Sequence, residues 1–332
     1  MHRTPHGLIA DIGGTNARFA LVDEAGYYNE IVFACADFEH VQEAVRAYMG
    51  QTGLSDLPPH GAFAIAGPVN ADVFFATNMK WSFSISDLGT SLGFKTFRLF
   101  NDFEAVALAI PHLTQDHIIP ITHPESDSAP PSIHTATSRP HAPIGILGPG
   151  TGLGVASLVH DGVRYHAVAG EGGHVSLPID TAREFAVLDV LLHKYSHVSA
   201  ERVCSGKGLV NLYNALKIID KRIDLPERDA ESIALAAQSN TCPVCVESLD
   251  LMLGFLGRIA GNLALTLGAH GGIYIAGGIP LKLGNSFFTS RFRREFEKKG
   301  RFVSYLQSIP TYLVTHPFPA FLGLQHTILP SK

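Results

Sequence analysis

The most constraining feature of the sequence is a strand, glycine turn and strand unit that occurs twice. Residues 7–22 are an apolar run, a glycine turn and a second apolar run, and residues 144–159 repeat this order around a turn with four glycines. Each pattern predicts a β-hairpin. The recurrence predicts a duplicated fold in which each half supplies one glycine-lined hairpin.

The remaining apolar pattern predicts an α/β protein with mixed sheets. Short apolar runs at 61–67 and 95–100 predict buried strands, and residues 103–110 predict a helix. The second half is more helical, with apolar residues at helical spacing at 183–194, 209–219, 231–239 and 246–267 and a charged helix at 291–299. Strands are predicted at 272–278 and 311–315. The chain ends in a short helix that we expect to pack on the first lobe.

The length of 332 residues predicts two domains, since one domain usually takes roughly 100–200 residues. We expect a small α/β lobe at 1–112, completed by 316–332, and a large α/β lobe with helical insertions at 113–315. Residues 123–143 are rich in Pro, Ser, Thr and His and predict an exposed insertion without chemistry.

Charge and composition narrow the class of partner. A net charge of -5 argues against nucleic acid or an anionic membrane as the main partner and favours a small molecule. No apolar run approaches the roughly 20 residues that span a bilayer, and residues 1–6 lack the shape of a signal peptide. We therefore expect a cytoplasmic protein.

The four cysteines do not make a disulfide framework for a chain of this size. Cys242 and Cys245 have the spacing of a redox motif or of half a zinc site, but no second pair or matching histidines follow. We favour the plainer interpretation of two small residues at a helix start.

Both glycine turns have the composition of phosphate-binding loops. The first carries Asp11, Gly13, Gly14 and Thr15, where residues without side chains let backbone N–H groups approach an anion. It lacks the P-loop signature, and the alternative is a tight hairpin with an Asp cap. In the second turn, residues 148–154, Thr151 adds a hydroxyl donor.

Two such turns facing one cleft would grip a polyphosphate from both lobes. Gly277 and Gly278, at the end of a predicted strand, would let a base and ribose lie against backbone, although a simple strand-to-helix turn explains them nearly as well.

A neutral, hydroxyl-rich sugar needs carboxylate, amide and imidazole partners. Asn101 and Asp102 lie between a predicted strand and helix, where the alternative for Asp102 is a helix N-cap. Glu171 and His174 share a glycine-lined stretch, although a lone His is more often structural. Glu201 would ordinarily be a solvated charge on a helix face. Sequence spacing alone does not bring these residues together.

The chain resembles the bacterial glucokinases of the proteobacterial type along nearly its whole length. The motifs that carry the resemblance begin at Asp11 (DIGGTNAR), Thr77 (TNMKWSFS), Asn101 (NDFEAVA), Gly170 (GEGGHV), His197 (HVSAERV), Gly208 (GLVNLY), Gly261 (GNLALTLG) and Ile275 (IAGGI). Lys207 stands where a proline is common in that family, and the ending at 319–324 is a shortened form of the family's glycine-rich one.

The resemblance implies a two-lobed actin-like ATPase fold of the ribonuclease H type, a homodimer, and transfer of phosphoryl from Mg-ATP to the 6-hydroxyl of glucose. It implies that Asp102 is the base and that Asp11 holds Mg²⁺ through water. The sugar contacts would be Asn101, Asp102, Glu171, His174 and Glu201; the ATP contacts would be Asp11, Gly13, Gly14, Thr15, Asn16, Gly150, Thr151, Gly152, Gly277 and Gly278.

Two other functions remain open. A kinase for another hexose is the nearest alternative, because residue types do not reveal which arrangement of sugar hydroxyls the site accepts. The phosphoryl donor is equally open. A non-catalytic sugar sensor on the same scaffold is the alternative from another class. It would need a DNA-reading module, and we expect none ahead of the first phosphate turn.

Overall fold

The structure is a computed structural model that describes residues 3–69, 71–75, 81–122 and 141–329. Contacts divide the chain into two compact units, Met1–Leu113 with His316–Lys332, and Thr114–Thr315. Most of the predicted insertion at 123–143 lies outside the described residues, as do residues 77–80 of the motif that begins at Thr77.

The first unit is built on a five-stranded mixed sheet in the order β3-β2-β1-β4-β7. Its strands are β1 Gly7–Ile12, β2 Asn16–Asp23, β3 Gly26–Ala34, β4 His60–Ile65, the small pair β5 Val73–Phe75 and β6 Ser82–Ser84, and β7 Thr96–Asn101. Its helices are α1 Val41–Thr52, α2 Ile85–Ser91, α3 Asp102–Ala109 and the final helix, α12 Pro319–Ile328. The first predicted hairpin, both buried strands and the helix near 103–110 are confirmed.

The register of this sheet places two predicted site segments at one edge. Asp11 on β1 pairs with Ala64 on β4, which pairs with Phe100 on β7. Because the three strands are parallel, their carboxyl ends meet at the same edge. The first glycine turn and the start of α3 therefore both emerge there.

The final helix packs on α3, as the sequence predicts. A Cβ added at Gly323 of α12 would lie 2.0 Å from the backbone oxygen of Ala105, so only glycine permits this approach. Phe321 and Leu324 are fully buried in the same contact region. The chain thus returns to the first unit after Thr315.

A stacked pair of imidazoles joins the end of α3 to α12. The rings of His112 and His326 lie 3.4 Å apart between centroids at an interplanar angle of 8°. Burial, together with the charge of His326, lowers the pKa of His112 to about 4, and burial lowers the pKa of His326. The folded state therefore favours neutral rings.

This pair predicts acid sensitivity of the first unit. The folded pKa values of the two histidines lie below the unfolded value of about 6.5. The contribution of the neutral pair to folding stability is therefore complete above pH 6.5 and is lost as the pH falls toward 4. We expect the urea midpoint of His112→Phe, which keeps an aromatic stack, to fall less than that of wild type between pH 7.5 and 5. Equal declines in the two proteins would contradict this prediction.

The second unit contains a six-stranded mixed sheet in the order β11-β10-β9-β12-β13-β8. Its strands are β8 Ile118–Pro120, β9 Ile144–Pro149, β10 Leu153–His160, β11 Tyr165–Gly170, β12 Ile273–Ile275 and β13 Thr311–Val314. Its helices are α4 Ala182–Leu192, α5 Gly206–Ile219, α6 Ala230–Gln238, α7 Pro243–Leu267, α8 Gly278–Leu283, α9 Asn285–Phe288, α10 Phe292–Glu297 and α11 Val303–Gln307. The second hairpin and the predicted helices are confirmed within a few residues at their ends.

The long helix α7 organises this unit and is buried over most of its length. Glycines on one face let α10 approach closely, because a Cβ at Gly257 would lie 2.1 Å from Phe292 O and one at Gly261 would lie 2.5 Å from Phe296 O. The predicted charged helix is α10, and its Arg293 is largely buried. Among the described residues, no helix combines the length and apolarity needed to cross a membrane.

Candidate active site

A cavity of about 190 Å³ lies in the first unit where the sheet edge meets α3 and the segment that leads into α12. It contains two of the predicted functional carboxylates, Asp11 and Asp102. The other lining residues are Arg18, Phe103, Val106, Pro317, Phe318, Pro319 and Ala320. The cavity therefore combines polar groups from the sheet edge with an apolar wall from the end of the chain.

Asp11 is held at the end of β1 beside a basic partner. Its side chain is 33% exposed, and its Oδ2 lies 3.7 Å from Nη1 of Arg18, the residue opposite it in the β1–β2 pairing. Burial raises the pKa of the Asp11 carboxyl above its ordinary value, and the charge of Arg18 offsets part of the increase. A second cation near Asp11 would favour its ionised form further.

The first glycine turn presents an exposed stretch of backbone. The Gly13 N–H donates to Asn16 O at 2.9 Å, and the N–H of Cys35 donates to Thr15 O at 2.8 Å. Gly14, Thr15 and Asn16 are exposed. Because the Gly13 N–H is used within the turn, an anion would meet the Gly14 to Asn16 part of the loop.

The helix cap at α3 is Asn101, so the interpretation of Asp102 as the N-cap is wrong. Asn101 Oδ1 accepts from the N–H groups of Phe103 and Glu104 at 2.9 and 3.2 Å, and its Nδ2 donates to Gly67 O at 3.0 Å. Asp102 is the first helical residue, where its Oδ1 accepts from the Phe103 N–H at 2.9 Å. Asn101 thereby fixes the position of Asp102 at the cavity.

In the second unit, Glu201 is attached to the second glycine turn. Its Oε2 accepts from the Leu153 N–H at 3.0 Å, and a Cβ at Gly152 would lie 2.5 Å from the same oxygen. Gly150 closes the turn by donating to Gly152 O at 2.8 Å. Glu201 lies in a 3₁₀ turn, Ala200–Arg202, and is partly buried with its carboxylate bonded to Leu153 N–H, so the alternative of a solvated charge on a helix face is wrong.

Glu171 and His174 lie beside the same turn. Glu171 precedes a 3₁₀ turn, Gly172–His174, that ends at His174. Oε2 of Glu171 and Nε2 of His174 are 3.8 Å apart, and their side chains are 61% and 59% exposed. The turn packs directly on β10, since a Cβ at Gly173 would lie 2.1 Å from Leu153 O. The backbone of Leu153 is thus the point at which Glu201 and the Glu171 turn meet.

Gly277 lies against the same region. It has a φ of 102°, and a Cβ there would lie 2.8 Å from Pro149 O, at the end of β9. Gly278 begins α8 and has open space around its Cβ position. The predicted nucleoside-side glycines and the second phosphate turn are therefore neighbours in the second unit.

The two adjacent glycines provide a matched test. Gly277→Ala combines an unfavourable positive φ with a backbone clash, so we expect the free energy of unfolding to fall by about 1–3 kcal/mol. Gly278→Ala should change it by less than about 1 kcal/mol, because neither problem arises there. Urea unfolding of both variants measures the difference, and equal losses would contradict this assignment.

The structure thus brings the predicted residues together as two sets. Asp11, the first turn, Asn101 and Asp102 share the first unit, whereas the second turn, Glu171, His174, Glu201 and the 277–278 pair share the second. Proximity of Asp102 to Glu171 and His174 stays a prediction. The sequence reasoning missed Arg18, which the hairpin register could have revealed as an opposite charge across from Asp11, and Phe318, for which there was no local signal.

Comparison with known proteins identifies relatives of the chain. A family model described as Glucokinase matches residues 8–330. The glucokinase of Paramagnetospirillum magneticum is 41% identical over 98% of both chains. The bifunctional protein glk of Paraburkholderia xenovorans is 44% identical over 96% of this chain, which spans only 48% of that longer protein.

A solved structure supports the same relationship. The crystal structure of a glucokinase from an Antarctic psychrotroph is 34% identical, with a TM-score of 0.82 over 97% of this chain and 98% of that one. The predicted fold class, α/β of the actin-like ATPase type with mixed sheets flanked by helices, is confirmed. The chain belongs to the glucokinase family, whose members are ATP-dependent hexose kinases.

Proposed function

We propose that this protein transfers the γ-phosphoryl group of ATP to the 6-hydroxyl of glucose, with Asp102 as the general base. The observation that carries the assignment is the position of Asp102. It is fixed at the first turn of α3 by the Asn101 cap and lines the same cavity as Asp11 and Arg18. A carboxylate there can accept the proton of an attacking hydroxyl.

The start of a helix suits this role. Helix N-termini favour negative charge, and the cap keeps the Asp102 side chain in one place relative to the cavity. Rate in phosphoryl transfer comes mainly from positioning and from stabilising charge on the transferred group. Asp102 would position the attacking hydroxyl, and the phosphate-facing groups would stabilise the charge on the transferred group.

The phosphates would be held by backbone and by Arg18. The exposed Gly14 to Asn16 stretch and the Gly150 to Gly152 turn are the proposed cradles. The Arg18 guanidinium, stacked 4.5 Å above the Phe318 ring, lines the cavity beside Asp11 and would add a fixed positive charge. Gly277 and Gly278 would border the nucleoside.

Asp11 fits the requirements for Mg²⁺. Magnesium prefers hard oxygen ligands and usually takes one or two carboxylates together with water and substrate phosphates. Burial makes the ionised Asp11 costly, so a bound cation would relieve that cost. When bound, Mg²⁺ would neutralise phosphate charge, while Asp11 would hold it through water.

Glucose would be bound by Asn101, Glu171, His174 and Glu201 in addition to Asp102. Carboxylates, an amide and an imidazole can each pair with sugar hydroxyls. The resemblance also leads us to propose a homodimer, and the sequence pattern leads us to propose a cytoplasmic location. Light scattering after size exclusion tests the oligomeric state, and a mass of one chain would contradict the dimer.

A coupled assay of the purified chain against a panel of hexoses and phosphoryl donors tests the function. We expect the highest kcat/KM for glucose with ATP and Mg²⁺. A higher value for mannose, fructose or an amino sugar would establish the alternative hexose kinase. Sugar binding without any transfer would instead indicate a sensor.

A further inference from the structure

We propose that Cys242 and Cys245 form a redox-active dithiol that small-molecule disulfides convert to an intrachain disulfide. Neither cysteine lines the cavity or belongs to the proposed substrate contacts. Both residues lie at the beginning of α7, where Cys242 is the N-cap and Cys245 is the third helical residue. Cys242 is 6% exposed and Cys245 is fully buried, and their neighbours in sequence, Thr241 and Pro243, are exposed, so Cys242 is the thiol nearer the surface.

The backbone geometry permits the bond. The side chain of an N-cap residue lies near the backbone N–H of the third helical residue, which here is Cys245. A disulfide needs Cβ atoms about 3.5–4.5 Å apart. Cys242 has the extended backbone of an N-cap, with φ -142° and ψ 109°, and its C=O accepts from the Val246 N–H at 3.0 Å. The bond would therefore form by rotation of the Cys242 side chain while its backbone stays in place.

The two thiols differ in the way that a redox pair requires. Burial by itself would raise the pKa of Cys242. The net pKa is nevertheless lowered by hydrogen bonds from the N–H groups of Cys245 and Val244 and from the Cys245 thiol, and by the charge of Arg228. Burial and the adjacent Cys242 raise the pKa of Cys245 to about 12. Cys242 is therefore the attacking thiolate, and Cys245 is the resolving thiol.

The other two cysteines lack these features. Cys204 is fully buried, and its Sγ donates to Met252 O at 3.6 Å, while burial raises its pKa. Cys35 donates to Gly13 O at 3.5 Å, and burial raises its pKa. Each has its thiol occupied by a backbone carbonyl, so both serve as internal controls.

The chemistry proceeds by two thiol–disulfide exchanges. The Cys242 thiolate attacks one sulfur of a small disulfide, forms a mixed disulfide and expels the other half as a thiolate. Cys245 then loses its proton and attacks the Cys242 sulfur, and the second half of the small disulfide leaves. The protein loses two electrons and two protons, and the small disulfide becomes two thiols.

Glutathione disulfide is the probe for the experiment. The folded protein is exposed to it, alkylated under quenching conditions and digested with trypsin, which releases residues 229–258, with both cysteines, separately from the segments that contain Cys35 and Cys204. We expect the 229–258 peptide to lose two hydrogen atoms and two alkylation sites, and dithiothreitol to restore them. The peptides of the two control cysteines should stay fully alkylated.

Single variants test the assigned order. Cys245→Ser should trap glutathione on Cys242, whereas Cys242→Ser should show little glutathione on Cys245. Serine is a favourable N-cap, so Cys242→Ser is expected to fold, and urea unfolding of both variants verifies this. The proposal is overturned if the 229–258 peptide of the folded protein stays alkylated at both sites, or if Cys35 and Cys204 react equally fast.

Discussion

Replacing Asp102 by Asn is expected to lower kcat by a factor on the order of 10²–10⁴, because the amide cannot accept the proton of the sugar hydroxyl. The change is nearly isosteric, and Asn101, which caps α3, is left in place. We therefore expect the urea midpoint to change little and glucose binding to persist. Steady-state rates at saturating glucose and ATP measure the effect.

Glu104→Gln is the matched control for Asp102→Asn. Glu104 is the other acid in the first turn of α3, and it is not among the residues that line the cavity. Its replacement removes the same charge from the same helix end, so we expect kcat to stay within a factor of about 3 of wild type. Full turnover in Asp102→Asn would show that the base is misassigned, and an equal loss in both variants would indicate a general effect of helix charge.

Local sequence patterns are sufficient to predict the strands, turns and helix that carry the candidate site. Apolar runs around glycine turns predicted both hairpins, and a strand followed by Asn101 predicted the start of α3. These features depend on neighbouring residues, which is why spacing alone identifies them. The sequence analysis identified neither β3 nor α1. β3 is a half-exposed edge strand without clear alternation, whereas α1 buries Val41, Ala44, Val45 and Tyr48 at helical spacing, a signal that could have identified it.

The surroundings of individual carboxylates could not be predicted in the same way. Glu201 looked like a surface charge, yet it is held by the Leu153 N–H, 48 residues away in sequence. Phe318 reaches the cavity because α12 returns to the first unit. Such contacts depend on tertiary packing, and no pattern within a short window contains them.

Another outcome of tertiary packing is a buried ion cluster that joins α7, α4 and α10. The Arg258 guanidinium donates to both carboxylate oxygens of Glu184 at 3.0 and 3.1 Å and to Oε2 of Glu295 at 2.8 Å. The side chains of Arg258 and Glu184 are 3% and 1% exposed. Although burial would raise the pKa of Glu184, the bonds from Arg258 hold it below its ordinary value.

Arg258→Ala is expected to reduce the free energy of unfolding by about 3–5 kcal/mol, because two buried carboxylates lose the cation that hydrogen-bonds to both. Glu184 would keep only the more distant Arg291 guanidinium, at 3.8 Å, and its bonds from the Asp180 and Thr181 N–H groups. The triple variant Arg258→Met, Glu184→Leu, Glu295→Leu removes all three charges and should recover most of the loss. Urea unfolding of wild type and both variants measures these differences. A triple variant no more stable than Arg258→Ala would indicate that the lost packing of Arg258 matters more than its charge.

The pH dependence of Arg258→Ala separates the two explanations further. Without the guanidinium, burial should raise the pKa of Glu184 above its unfolded value, so the folded state binds a proton more readily than the unfolded state. Stability of the variant then falls as the pH rises above about 4.3, and its deficit relative to wild type should be smaller at pH 5 than at pH 7.5. A deficit of the same size at both values would mean that the buried carboxylates are not its cause.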